Sequence, residues 1–266
     1  MKEIKLLEPF IREIGRYQIE NFRKSNLNIH SKTTEIDLIT EVDKTSNDKI
    51  LKFLMEHFPE DNIITEEAEP VIKNKSSYTW IVDPLDGTTN FSIGSPIFAI
   101  SIGKVRHFGT KDQKPVLGII YVPTLNELYY AAENQGSYLM SGLTGSTIKL
   151  SASSVTDLKA AVLSTGFPYD RAISPKNNSQ NIQKMIPLIK GIRRMGAAAY
   201  DLCLVAQGVL DAHWELKLSV WDITAGQCIV EEAGGYFWTQ TYADGRLSIL
   251  TGNKELCEKI RNIVEL

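Results

Sequence analysis

Three cysteines, Cys203, Cys228 and Cys257, are all that this 266-residue chain carries. They are odd in number, far apart and form no C-x-x-C pair. That excludes a disulfide framework and a thiol metal site and leaves three reduced packing residues. No apolar run approaches the roughly 18–20 residues that span a bilayer, so no membrane helix is expected. Residues 1–25 hold acids throughout and no continuous apolar core, so they do not read as an export signal, and the cytoplasm is the expected compartment. A basic excess is missing too: 29 Lys and Arg face 32 Asp and Glu, for a net charge of −3. That balance argues against a nucleic-acid or membrane-surface partner. Histidine is scarce. His30, His57, His107 and His213 are scattered, each is expected to be structural or on the surface, and no Ser-His-Asp or Cys-His arrangement stands out.

What is present is a core-forming chain, 43% hydrophobic and 23% charged. Leu7, Phe10, Ile11, Ile14 and Tyr17 fall near one face of an N-terminal helix. Helical spacing predicts a second helix over 43–58, ended by Pro59, and others over 178–190, 197–207 (stopped by Gly208), 222–233 and 254–264. Strands are expected at 78–82, 97–105, 117–121, 128–132, 161–165, 209–215 and 236–239, with a loop over 111–115. Strands and helices alternate without a strict βαβ rhythm, so an α+β or layered architecture fits better than a doubly wound sheet.

The strongest local signal is Trp80-Ile81-Val82-Asp83-Pro84-Leu85-Asp86-Gly87-Thr88-Thr89-Asn90-Phe91. A hydrophobic strand delivers two carboxylates, Pro84 fixes the backbone between them, and Gly87 permits a sharp turn. Thr88, Thr89 and Asn90 then offer amides and hydroxyls at a helix start, where phosphate is favoured. Carboxylates beside a phosphate cradle repel the ligand unless a divalent cation lies between, and hard oxygen donors point to Mg²⁺. Asp43, Glu66, Glu67 and Asp222 stand at the ends of other elements. Taken singly, Asp43 and Asp222 read as N-caps and the Glu pair as a solvated turn. Taken with the Asp83–Phe91 block they make a site for two or three metal ions.

These blocks resemble the inositol monophosphatase family. The resemblance runs through residues 32–43, Ile64-Thr65-Glu66-Glu67, Asp83 to Phe91, Trp221-Asp222-Ile223-Thr224-Ala225-Gly226 and Glu232-Ala233-Gly234-Gly235, in the family's order and across most of the chain. It implies a single catalytic unit over 1–266 with αβαβα layers, an N-terminal half (1–150) and a C-terminal half (151–266), and a homodimer. It also implies residue roles. Glu66, Asp83 and the Leu85 carbonyl hold one Mg²⁺; Asp83, Asp86 and Asp222 hold a second; Glu66 reaches toward a third, weaker ion near Lys32. Thr88, oriented by Asp43, helps deprotonate the attacking water, with Glu66 the third catalytic residue. Gly87, Thr88, Asp86, Asp222, Ala198 and Glu215 contact the substrate, Glu215 through its hydroxyls. The implied reaction is hydrolysis of inositol monophosphate, or a related small polyol or sugar phosphate, by metal-activated water, with lithium sensitivity.

Several positions depart from the family pattern. Ala197 stands where Ser or Thr is usual, and Thr65 where Gly is usual. Lys217 either meets a second anionic group or balances Glu215. Arg171, Arg193 and Arg194 raise the same question, and Arg193-Arg194 otherwise reads as a surface pair or subunit contact. A fructose-1,6-bisphosphatase, a histidinol-phosphatase and a 3′-phosphonucleotide phosphatase therefore stay open, as does a non-catalytic regulatory binding protein.

Overall fold

The computed structural model describes residues 1–24, 38–73 and 76–266, together with the backbone of 29–31. The helices are α1 (Lys2–Asn21), α2 (Glu41–His57), α3 (Thr88–Ser92), α4 (Ser179–Met185), α5 (Ala198–Ala206), α6 (Val220–Glu232) and α7 (Lys254–Arg261). The first half of the chain supplies strands β1 (Ile29–Ser31), β2 (Leu38–Thr40), β3 (Asn62–Thr65), β4 (Tyr78–Asp86), β5 (Ala99–Arg106), β6 (Lys114–Val122), β7 (Glu127–Ala132), β8 (Ser137–Ser141) and β9 (Thr147–Lys149). The second half supplies β10 (Val162–Thr165), β11 (Gly191–Arg193), β12 (Ala212–Leu218), β13 (Tyr236–Thr241) and β14 (Leu247–Gly252).

Strands β3 to β9 form one seven-stranded sheet in sequence order, and a five-stranded sheet has the order β11-β10-β12-β14-β13. Three packed cores stack these sheets. Ile4, Leu7, Ile11 and Ile14 of α1 and Ile50 and Leu54 of α2 cover one face of the large sheet, against Trp80, Val82, Ile102 and Ile119. The other face, through Ala99, Ile120, Tyr129 and Ala131, meets α5 and α6, which also reach Ile249 of the small sheet. Met185 of α4 and Leu256, Cys257 and Ile260 of α7 close the far face over Leu163, Trp214 and Leu250. The result is an α+β fold of αβαβα layers. The three cysteines are buried and free, as expected. Among the described residues, no helix is long and apolar enough to cross a membrane.

Some boundaries differ from the sequence reading. The helix expected over 178–190 ends at Met185 and continues as a 3₁₀ turn over Ile186–Leu188, because Pro187 cannot donate into an α-helical ladder. The strand expected over 209–215 instead spans Ala212–Leu218. Residues ahead of it turn at Gly208, and beyond Glu215 the strand survives through an irregularity with Lys217 at φ 58°. The loop expected over 111–115 is shorter, since β6 begins at Lys114. Strands β1, β8, β9, β11 and β14 were not expected.

Candidate active site

Four aspartates share one design: in each, a backbone amide holds one carboxylate oxygen. In α2, Thr40 is the N-cap and Asp43 the third helical residue of a capping box, with the Thr40 amide 2.9 Å from Asp43 Oδ2. In α6, Ser219 and Asp222 repeat it, with the Ser219 amide 2.7 Å from Asp222 Oδ2. At the end of β4, Asp83 Oδ1 accepts the Leu85 amide at 2.9 Å. Asp86 Oδ2 accepts the Ala199 amide, in the first turn of α5, at 2.7 Å. The ladder between β4 and β5 is irregular between Asp83 and Asp86, where Pro84 has no N–H to give.

Gly87 is the N-cap of α3 at φ 89°, a left-handed backbone that suits glycine. A Cβ there would also come within 3.0 Å of the Ile97 carbonyl. Thr88 follows, and its Oγ1 lies 2.9 Å from Asp43 Oδ1 and 3.1 Å from the Leu85 carbonyl. Thus Thr40 fixes one oxygen of Asp43 and Thr88 takes the other.

A cavity of about 720 Å³ opens between the two sheets. Glu66, Asp83, Leu85, Asp86, Gly87, Thr88, Ala198, Glu215 and Asp222 all line it. Among the described residues that the resemblance gave a metal, catalytic or substrate role, Asp43 alone stands behind the wall, reaching the cavity through Thr88. The N-caps of three helices, Gly87, Ala197 and Ser219, face the same space. Their dipoles favour an anion there.

Burial pushes the Asp83 carboxyl well above its usual range, helped by the charges of Glu66, Asp86 and Asp222 and a hydrogen bond with Glu66. Burial and Glu66 do the same to Asp222. Asp86 rises to about 7, through burial first, despite the Ala199 amide. Asp43 rises through burial, opposed by its bonds to Thr40 and Thr88. Among the described residues, no Lys, Arg or His ion-pairs with Asp83, Asp86 or Asp222. Nor do any three acidic, histidine or cysteine side chains of the described residues converge, as they stand, into a group that could hold a metal ion. The acids ring an open space instead. Carboxylates with the Leu85 carbonyl are an all-oxygen donor set, the type that suits a hard divalent cation.

Several expectations need correction. Asp43 and Asp222 are not N-caps but the acids at the third helical position of capping boxes. Lys217 does not balance Glu215; its Nζ lies 2.6 Å from Asp170 Oδ2 and 2.8 Å from Ser174 Oγ. Arg246 joins Asp170 at 3.4 Å. Arg193 is turned away from the cavity, whereas Arg171 and Arg194 line it. Lys32 and the side chain of His30 lie outside the described residues. Two groups beside the cavity escaped the sequence reading: Asp201, raised by burial to about 7, and His213, fully buried next to Glu215. The signal for Asp201 was available, as one acid within an otherwise uncharged, wholly buried helix.

The inositol monophosphatase family model matches residues 4–263. The chain is 37% identical over 254 residues to a protein of Aquifex aeolicus described as fructose-1,6-bisphosphatase/inositol-1-monophosphatase, covering 94% of this chain and 90% of that one. It is 36% identical over 213 residues to Nus factor SuhB of Pasteurella multocida, covering 80% and 75%. Among solved structures, the extragenic suppressor protein SuhB of Bartonella henselae superposes with a TM-score of 0.86 at 29% identity, over 99% of this chain and 98% of that one. With the family model spanning nearly the whole chain and the layered fold shared, this protein belongs to the inositol monophosphatase family.

Proposed function

We propose that this protein is a Mg²⁺-dependent phosphomonoesterase acting on inositol monophosphate or a related small polyol phosphate. The observation that carries the reading is the Thr88–Asp43 hydrogen bond at the rim of a cavity ringed by Glu66, Asp83, Asp86 and Asp222. These acids fit Mg²⁺: Glu66, Asp83 and the Leu85 carbonyl would hold one ion, and Asp83, Asp86 and Asp222 another. When bound, the metal neutralises phosphate charge and makes a water more acidic.

The chain's own groups supply the rest. The N-termini of α3, α5 and α6 attract the phosphate, with Gly87 and Thr88 amides as its cradle. Thr88 Oγ1 gives its proton toward Asp43 Oδ1 and keeps a lone pair to accept one from water. Asp43, raised by burial, is a stronger base than an exposed aspartate and takes that proton on. Positioning then does most of the work, and no covalent intermediate is required. On the leaving-group side, Glu215 accepts substrate hydroxyls and Ala198 packs against the polyol. Phosphate release from inositol 1-phosphate, compared with fructose 1,6-bisphosphate, histidinol phosphate and 3′-phosphoadenosine 5′-phosphate, with and without Mg²⁺, tests the reading. Preferential Mg²⁺-dependent turnover of inositol 1-phosphate supports it; no turnover of any of them counts against it.

A second reading is favoured by the relatives named Nus factor: a regulatory binding role. The complete set of acids in this chain argues that such a role would accompany catalysis rather than replace it.

A further inference from the structure

Strand β12 carries His213 and Glu215 two residues apart, hence on one face of the small sheet. In register beside His213 on the parallel strand β10 is Ser164, whose Oγ lies 2.8 Å from His213 Nδ1. Ser164 also helps to hold down the carboxyl of Asp201 on α5, against burial. With Asp201 ionised, the Ser164 hydroxyl can turn its proton toward that carboxylate and accept one from Nδ1. The other nitrogen, Nε2, lies 3.4 Å from Glu215 Oε2. That is an ion-pair distance without hydrogen-bond alignment, and among the described residues Nε2 has no other partner. Across the cavity wall the Glu215 carboxylate lies on Gly166, where a Cβ would collide with Oε1.

We infer that His213 is a positioning residue for Glu215, fixed by Ser164 and Asp201 and directing one oxygen of the Glu215 carboxylate so that the other faces the substrate's hydroxyls. This rests on the polyol-phosphate reading above. Glu215 sits among like charges, since it raises Asp86, Asp201 and Asp222 in turn. A protonated His213 behind it would offset that repulsion. Burial alone would lower the His213 pKa, but Glu215 and Asp201 outweigh burial and raise it. Phenylalanine at this position would fill the space and supply no charge. The lost charge-assisted contact corresponds to about tenfold or more.

The test compares inositol 1-phosphate with 4-nitrophenyl phosphate, which has no hydroxyl for Glu215. In His213→Phe the kcat/KM ratio of the first to the second should fall about tenfold or more, chiefly through KM. His213→Gln, which keeps a donor, should recover part of the ratio, and adding Glu215→Gln to His213→Phe should lower it little further. Equal losses on both esters would mean that His213 only packs the core, which overturns the inference. If wild-type protein hydrolyses neither ester, the functional reading fails and nitrogen-15 NMR of the histidines decides the inference. Glu215→Gln should then alter the protonation of the His213 ring; an unaltered ring overturns it.

Discussion

Asp86 and Ala199, 113 residues apart, are joined by a 2.7 Å hydrogen bond that makes a strand-end carboxylate the cap of a distant helix. Ala197, at the N-cap of α5, has no side-chain oxygen to offer, and Asp86 supplies one from the end of β4. One acid therefore both faces the site and ties the two sheets' shared helical layer to β4. Asp86→Asn retains an oxygen for the Ala199 amide and should keep its fold while losing phosphatase activity. Asp86→Ala should lose activity and also about 1 kcal/mol of stability, the usual value of a cap. Denaturant titration of the two variants distinguishes them.

The same residue sets a pH dependence. Asp86 titrates at about 7 in the fold against an ordinary 3.8. Between those values the folded protein holds a proton that the unfolded chain has released. Stability without metal is therefore lost as pH rises through this window, by up to about 1.4 kcal/mol per pH unit. Asp86→Asn removes the share that this residue contributes. In chelator, the variant's Tm should gain on wild type as pH rises from about 4 to 8. Mg²⁺ should raise the Tm of wild type at the upper end. A constant difference across pH contradicts the prediction.

Thr88 is expected to act through its hydroxyl. Thr88→Val keeps the shape but cannot take a proton from water or pass one to Asp43, so kcat should fall about 10²-fold or more. Thr88→Ser should retain most of it. Steady-state kinetics with inositol 1-phosphate, beside thermal melts, separates this from a folding defect.

Lys217 pins the segment that carries Tyr169 and Arg171 over the cavity, through Asp170 and Ser174. Lys217→Met and Asp170→Asn should each raise KM with a smaller effect on kcat. Because they remove one shared contact, the double variant should lose less than the sum of the singles. Additive losses in KM would show that the ion pair does not hold the segment.

Much of this was legible in the sequence. Singly, Asp43, Asp222 and the Glu pair had bland explanations; the acids stood out as a set, beside an Asp83 to Phe91 block that names its own turn through Pro84 and Gly87. The capping interpretation of Asp43 and Asp222 and the catalytic one proved compatible: a carboxylate has two oxygens, and the helix start uses only one. What was missed depends on pairing between distant segments. Strand β14 lies between β12 and β13, yet its short run has little alternation to announce it. His213 looked isolated because its partners, Ser164 and Asp201, come from a parallel neighbour strand and a helix across the layer. Lys217 was mispaired because the backbone irregularity after Glu215, invisible in composition, turns its side chain toward Asp170.

The most direct test of the central claim is phosphate release from inositol 1-phosphate by wild-type protein and Asp83→Asn, each with Mg²⁺ and with chelator. The substituted side chain would keep an oxygen for the Leu85 amide that Asp83 now receives, so the variant should fold. The account predicts release by wild type with Mg²⁺ alone, and none by the variant in either condition. Release that persists in chelator, or in folded Asp83→Asn protein at the wild-type rate, would contradict it.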